Sequence, residues 1–139
     1  MGRNILGVIV GLAAWLLVAT LAGLIMRSSW PAYATVADAM TFTLPMMIAR
    51  LSIGALATIS MGFIAARIAR SGVARLMPGV LLLLAFIPQH VMLWDKFPLW
   101  YHLTFLVSLV PLTYVGVKCA DAVHRGRQLR ARGAAASHQ

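Results

Sequence analysis

Four long apolar runs decide what this chain can become. Ile5–Met26 carries no charge, and Thr43–Ala66 is interrupted only by Arg50. Met77–Trp94 follows, and then Phe97–Val117, which is closed by Lys118. Each run is near the length, about 20 apolar residues in helical form, that crosses a hydrocarbon layer about 30 Å thick. Backbone groups in lipid have to be paired inside a helix or around a closed barrel. No run shows the polar/apolar alternation of barrel strands. The expected fold is therefore all-α: an integral membrane bundle of four transmembrane helices over about 5–26, 43–66, 77–94 and 97–117.

Composition agrees. The chain is 61% apolar and only 11% charged, whereas soluble domains carry about 25% charged residues. So few charges cannot cover a globular surface in water. The 12 basic residues face three acids, and there is no glutamate. The basic residues stand beside the apolar runs, which reads as a topology signal, and no nucleic-acid partner is expected. Expected partners are membrane lipids, including anionic headgroups that attract each nearby Lys or Arg by about 1 kcal/mol. A membrane-protein partner or a second copy of the chain is the other expectation. The single Cys119 excludes an internal disulfide and a CxxC redox pair, and with them thiol–quinone chemistry.

Basic residues in short loops orient membrane helices, because they stay on the cytoplasmic side. Arg3, Arg67, Arg70, Arg75, Lys118, Arg125, Arg127, Arg130 and Arg132 fall on one side; only Arg27 and Lys96 fall on the other. Both termini are thus expected in the cytoplasm, with residues 1–118 forming the membrane domain. Residues 119–139 form a basic cytoplasmic tail whose end is expected to be disordered. The first run exceeds the roughly 7–15 apolar residues of a secretion signal and is read as a retained anchor. The N-terminal Met-Gly lacks the Ser or Thr at position six that myristoylation needs, since Leu6 stands there. Trp30, Tyr33, Trp94, Trp100 and Tyr101 all fall at the outer ends of the spans, where aromatic rings anchor at the headgroup level. On this reading "QHVMLWDKFPLWYH" is a tight interfacial hairpin.

Lipid solvates large apolar side chains, so helices associate where small residues let backbones approach. One stripe of the first span is Gly7, Gly11, Trp15, Ala19 and Gly23. One stripe of the second is Arg50, Gly54, Thr58, Gly62 and Ala66. These two stripes are expected to meet. Pro45, Pro78, Pro88 and Pro111 lie at or inside spans; Pro88 and Pro111 are the expected kinks and are read as static bends. In the connection 27–43, Ser29 is expected to cap a short helix begun by Pro31.

Few residues could carry chemistry. Arg50 is the one charge within a span, at an insertion cost of about 2.5–3.5 kcal/mol, and such a charge has a partner, a task or a route to the headgroups. His90 and His102 flank the hairpin at similar depth, with Gln89 beside them and Asp95 as the nearest acid. Two imidazoles and a carboxylate suit a transition metal, and two facing histidines suit haem. Without a fixed ligand spacing the expectation is no cofactor, with anchoring or interhelical hydrogen bonding for both histidines. No carboxylate lies within a span, which excludes small proton-coupled multidrug exporters and membrane aspartyl peptidases. No catalytic residue is identified.

The order "RNILGVIVGL", "GFIAARIAR", "FPLWYHL" and a later "P...VG" resembles a group of uncharacterised small bacterial four-helix inner-membrane proteins. The resemblance covers most of the chain. It implies a four-helix fold and a multi-pass place in a bacterial inner membrane, and it carries no activity, cofactor or site residues. The expected function is a non-enzymatic accessory or structural membrane subunit. The alternatives are a metal- or haem-binding membrane redox protein using His90 and His102, and a small oligomeric channel or carrier for an anionic solute with Arg50 in the pathway.

Overall fold

The computed structural model describes residues 1–136, with side chains through Ala131. It contains α1 (Gly2–Ser29), α2 (Pro31–Val36), α3 (Leu44–Ile68), α4 (Gly72–Met92), a single 3₁₀ turn (Trp94–Lys96) and α5 (Leu99–Ala136). No strand occurs among the described residues. The helices α1, α3, α4 and α5 are long and apolar enough to cross a membrane. The chain is an all-α, four-helix bundle of multi-pass membrane type.

The four long helices form a ring in the order α1, α3, α5, α4, with α3 also touching α4 across the centre. The bundle is apolar outward as well as inward. Leu16, Leu17, Leu24 and Ile25 on α1 are exposed, as are Leu84 on α4 and Val107 on α5. Small residues take the interior instead. A methyl added to Gly7 would strike Ala69, and one added to Gly11 would strike Ala65 and meet Met61. One level further along, the Trp15 indole N–H donates to Thr58 at 3.1 Å. The buried Thr58 and Thr113 hydroxyls donate to the carbonyls of Gly54 and Leu109 on their own helices, both at 2.7 Å. Such a back-bond satisfies a hydroxyl where no water reaches.

The two expected stripes meet at Trp15 and Thr58 but not along their whole length. Gly7 and Gly11 of the first stripe pack on Ala69, just past the end of α3, and on Ala65 and Met61, whereas Gly54 and Gly62 face α5, meeting Phe105 and the Thr113 backbone. Gly116 of α5 in turn approaches Ile59 and Phe63 of α3, and Gly79 of α4 approaches Thr113. Both faces of α3 are thus small. A single stripe could not serve two neighbours, which is why Ala65 and Ala69 take over on the α1 side. Gly23 is the exception, because a methyl there would meet nothing within 4 Å.

Element ends also differ. The third span is helical from Gly72, so Pro78 and Pro88 lie inside α4. Pro45 occupies the first turn of α3, where no backbone donor is lost. The short helix does begin at Pro31, but α1 runs through Ser29, so Trp30 is the N-cap residue and makes no side-chain cap. Helix α5 continues past Lys118 to Ala136; its 38 residues reach about 57 Å at 1.5 Å per residue, well beyond the layer thickness. The expected disordered end of the tail lies partly outside the described residues.

One end of the bundle gathers Met1, the α3–α4 turn and the later part of α5. There the Asn4 side-chain oxygen accepts from the Arg70 and Ser71 backbone N–H groups at 2.9 and 3.2 Å. Arg75 pairs with Asp121 at 3.2 Å. The opposite end holds α2, the start of α3 and the hairpin between α4 and α5. The candidate site lies at that end.

Candidate anion site

Arg50 lies two turns into α3, and its side chain points into the bundle. One terminal nitrogen donates to the Tyr33 hydroxyl at 2.6 Å, and Nε donates to the Tyr101 hydroxyl at 3.4 Å. Its guanidinium carbon sits 4.6 Å from the centre of the Phe42 ring, a cation–π contact that partly replaces lost hydration. Aromatic stacking fixes these partners. Tyr33 stacks on Phe42 (5.1 Å), Phe42 on Phe97 (5.9 Å) and Phe97 on Tyr101 (4.7 Å). Tyr33 comes from α2, Phe42 from the α2–α3 connection, Phe97 from the hairpin and Tyr101 from α5. Four segments therefore converge on one guanidinium.

No carboxylate joins them. Asp38 pairs with Arg27 at 2.6 Å and Asp121 with Arg75, while Asp95 is exposed on the hairpin turn. Those are the chain's three acids. Arg50 is accordingly half-buried with neutral donors and rings around it, and its charge has no counter-ion among the described residues. Of its five N–H donors, two are engaged and three remain, enough to clamp two oxygens of an anion.

Three adjoining clefts reach Arg50. One of about 200 Å³ is lined by Trp15, Gly23, Ile53, Phe86 and Phe105, among others. One of about 260 Å³ runs along α1 past Ala19, Gly23 and Arg27 to Tyr33. One of about 140 Å³ joins Arg50 to Gln89, His90, Tyr101 and His102. Gly23 borders the first two, which gives the one unpacked glycine of the α1 stripe a different role. Its missing side chain is cleft volume.

The histidines meet directly. His90 and His102 are 8% and 1% exposed, and their Nδ1 atoms stand 2.7 Å apart in a hydrogen bond. His102 Nε2 lies 3.2 Å from the Phe97 carbonyl. Trp94 stacks on the His102 ring at 5.0 Å, and Phe105 stacks on His90 at 4.9 Å. The two rings are in direct hydrogen-bond contact. Two nitrogens on one tetrahedral zinc stand about 3.3 Å apart with the ion between them, whereas these share a proton along a shorter line. No group of three His, Cys, Asp or Glu residues that could hold a metal occurs among the described residues.

The structure thus brings Arg50, Gln89, His90 and His102 to one cleft and leaves Asp95 outside it. Trp94 and Trp100 are exposed at the hairpin and Trp30 is half-exposed, as interface rings would be. Tyr101 is different: it is 6% exposed and turned inward, because its hydroxyl serves Arg50. Tyr33, also expected as an interface ring, is likewise turned inward, 3% exposed, with its hydroxyl on Arg50; Phe42 carried no signal in the sequence beyond its nearness to a span end. No family model, no curated protein and no solved structure matches the chain.

Proposed function

We propose that this chain is a non-enzymatic membrane protein that binds a small amphiphilic monocarboxylate at Arg50, as a carrier or receptor for that anion. The observation that supports it is a half-buried arginine without a counter-ion, held by Tyr33 and Tyr101 beside largely apolar clefts. A single uncompensated positive charge in such surroundings matches a monoanion; a dianion would leave one buried charge unpaired, which is costly. Apolar lining from Trp15, Phe86, Ile53 and Phe105 suits a short hydrocarbon or aromatic body. Benzoate is a suitable probe. It should bind to the protein in phosphatidylcholine nanodiscs by calorimetry, and benzyl alcohol, which has the same ring and no charge, should not. Equal binding of the two would remove the anion from the reading.

Gly23→Leu separates cleft from fold. A Cβ at Gly23 meets nothing within 4 Å and the position borders two clefts, so thermal stability in detergent should hold, while the filled clefts should weaken benzoate by about tenfold or more. Unchanged affinity would move the ligand away from α1.

For orientation, the reading puts the terminal end of the bundle in the cytoplasm of a bacterial inner membrane, on the nine-to-two distribution of basic residues outside the spans. Cys119 is exposed near that end. In intact cells it should resist a membrane-impermeant maleimide, and Lys96→Cys in a Cys119→Ser background should react. The reverse pattern would invert the protein and place the anion cleft on the cytoplasmic side.

A further inference from the structure

The hydrogen-bond directions around the two histidines define where a proton goes. A carbonyl only accepts, so His102 donates to Phe97 through Nε2–H. A neutral His102 then has its lone pair at Nδ1, and His90 donates to it from Nδ1–H. This leaves a lone pair on His90 Nε2, which has no hydrogen-bond partner among the described residues. Every fully buried side-chain nitrogen or oxygen among those residues has a partner, so Nε2 is not sealed off. Of the clefts, the one that His90 lines is the cleft shared with Arg50. The pair takes one further proton and no more, because two protons between Nδ1 atoms already in hydrogen-bond contact would collide. That proton belongs on His90 Nε2.

We propose that His90 Nε2 is the proton site of a coupled pair, so that the carboxylate on Arg50 and one proton on His90 are bound together. The inference rests on the reading of Arg50 as a carboxylate site. Arg50 and a protonated His90 repel each other across the same small cleft; a carboxylate between them cancels that repulsion and accepts from both. Each therefore favours the other, and the coupling is reciprocal. Counted over the whole step, a weak acid is taken up. Its O–H bond breaks, an N–H bond forms at Nε2, and the carboxylate stays on the guanidinium. No electron transfer or co-reactant is involved, and the proton on His90 (+1) offsets the bound carboxylate (−1), so the complex carries the same net charge as the free protein.

The groups around His90 permit this assignment. Tyr33 comes from α2, Arg50 from α3, Gln89 from α4, and Tyr101 and His102 from α5. From α1 the cleft region receives Trp15 and small residues, and Arg27 in the neighbouring cleft is paired with Asp38. Asp95 and Lys96 are exposed on the turn. No carboxylate competes for the proton, and Trp94 and Phe97 hold His102 in place so that it cannot offer a second open nitrogen.

Calorimetry of benzoate binding to the nanodisc-embedded protein, at pH 7 in two buffers of different ionisation heat, counts the protons. The expected result is uptake of about one proton per benzoate, with the dissociation constant rising about tenfold per pH unit above the coupled range. In His90→Gln the uptake and the pH slope should both vanish while benzoate still binds more weakly. Binding by the unaltered protein without proton uptake would overturn the assignment to His90 and leave the Arg50 site standing. No benzoate binding at all would overturn the Arg50 reading and the coupling with it. A measurement without ligand tests the geometry alone: nitrogen NMR above neutral pH should show His90 as the Nδ1–H tautomer and His102 as the Nε2–H tautomer. The reversed tautomers would overturn the proposal.

Discussion

Arg50→Met should abolish benzoate binding and leave the protein as stable as before, or more stable. The two halves of this expectation have separate causes. A carboxylate clamped by two charge-assisted hydrogen bonds, at about 1.5 kcal/mol or more each, loses at least about 100-fold in affinity when the guanidinium goes. Stability responds differently, because Arg50 has no ion pair to break. Its removal frees the Tyr33 and Tyr101 hydroxyls, and both residues line a cleft beside Arg50. It also relieves a charge whose insertion alone costs about 2.5–3.5 kcal/mol. Arg50→Lys should keep part of the affinity, since a point charge remains without the planar fork. A marked fall in the thermal midpoint of Arg50→Met, with benzoate binding retained, would make Arg50 a structural tie between α2, α3 and α5 and would remove the anion site.

The architecture was legible because it depends on summed properties. Helix number and approximate position follow from hydropathy over about 20 residues, and single substitutions barely change that sum. The hairpin turn around Asp95 and Lys96 and the start at Pro31 were also readable, because proline and a short polar break act locally. Contacts between spans were less legible. Gly62 and Gly116 are equally small whichever neighbour they face, so the sequence does not say that Gly62 meets α5 and not α1. Nor does it distinguish Gly11, which packs, from Gly23, which leaves space. At the site, Arg50, His90 and His102 stood out by type. Their convergence did not, since it depends on the rotation of α3 and α4 about their axes. Tyr101 shows the same limit: one position decides whether a ring at a span end faces headgroups or an interior charge.

The outward face of α1 is apolar. Exposed Leu16, Leu17, Leu21, Leu24 and Ile25 would be an anomaly in water, yet they are what lipid requires of a helix at the edge of a bundle. The polar features point inward instead, to one charge and one histidine pair near the hairpin end. That asymmetry supports the ligand-binding role proposed above.

The second large effect concerns the crossing of α3 and α5. A methyl at Gly62 would fall on the Thr113 carbonyl and the atoms beside it, and one at Gly116 would fall on the Ile59 carbonyl and the Phe63 nitrogen. These obstacles are backbone, which cannot rotate away as a side chain does. Accommodation requires the two helices to separate, and that loosens Thr113 from Gly79 and opens the contacts of Met61 and Leu109. Overpacking a close interior costs about 1–3 kcal/mol, and more where the strain cannot be shared. Gly62→Ala should therefore lower the thermal midpoint in mild detergent clearly, and Gly62→Leu should prevent isolation of a monodisperse fold. Gly23→Ala provides the control, because the same added methyl there meets open space and should have no effect on the midpoint. Equal tolerance at Gly62 and Gly23 would mean that α3 and α5 do not approach as described. The position of Arg50 relative to Tyr101 would then have to be drawn anew, since that same pair of helices sets it.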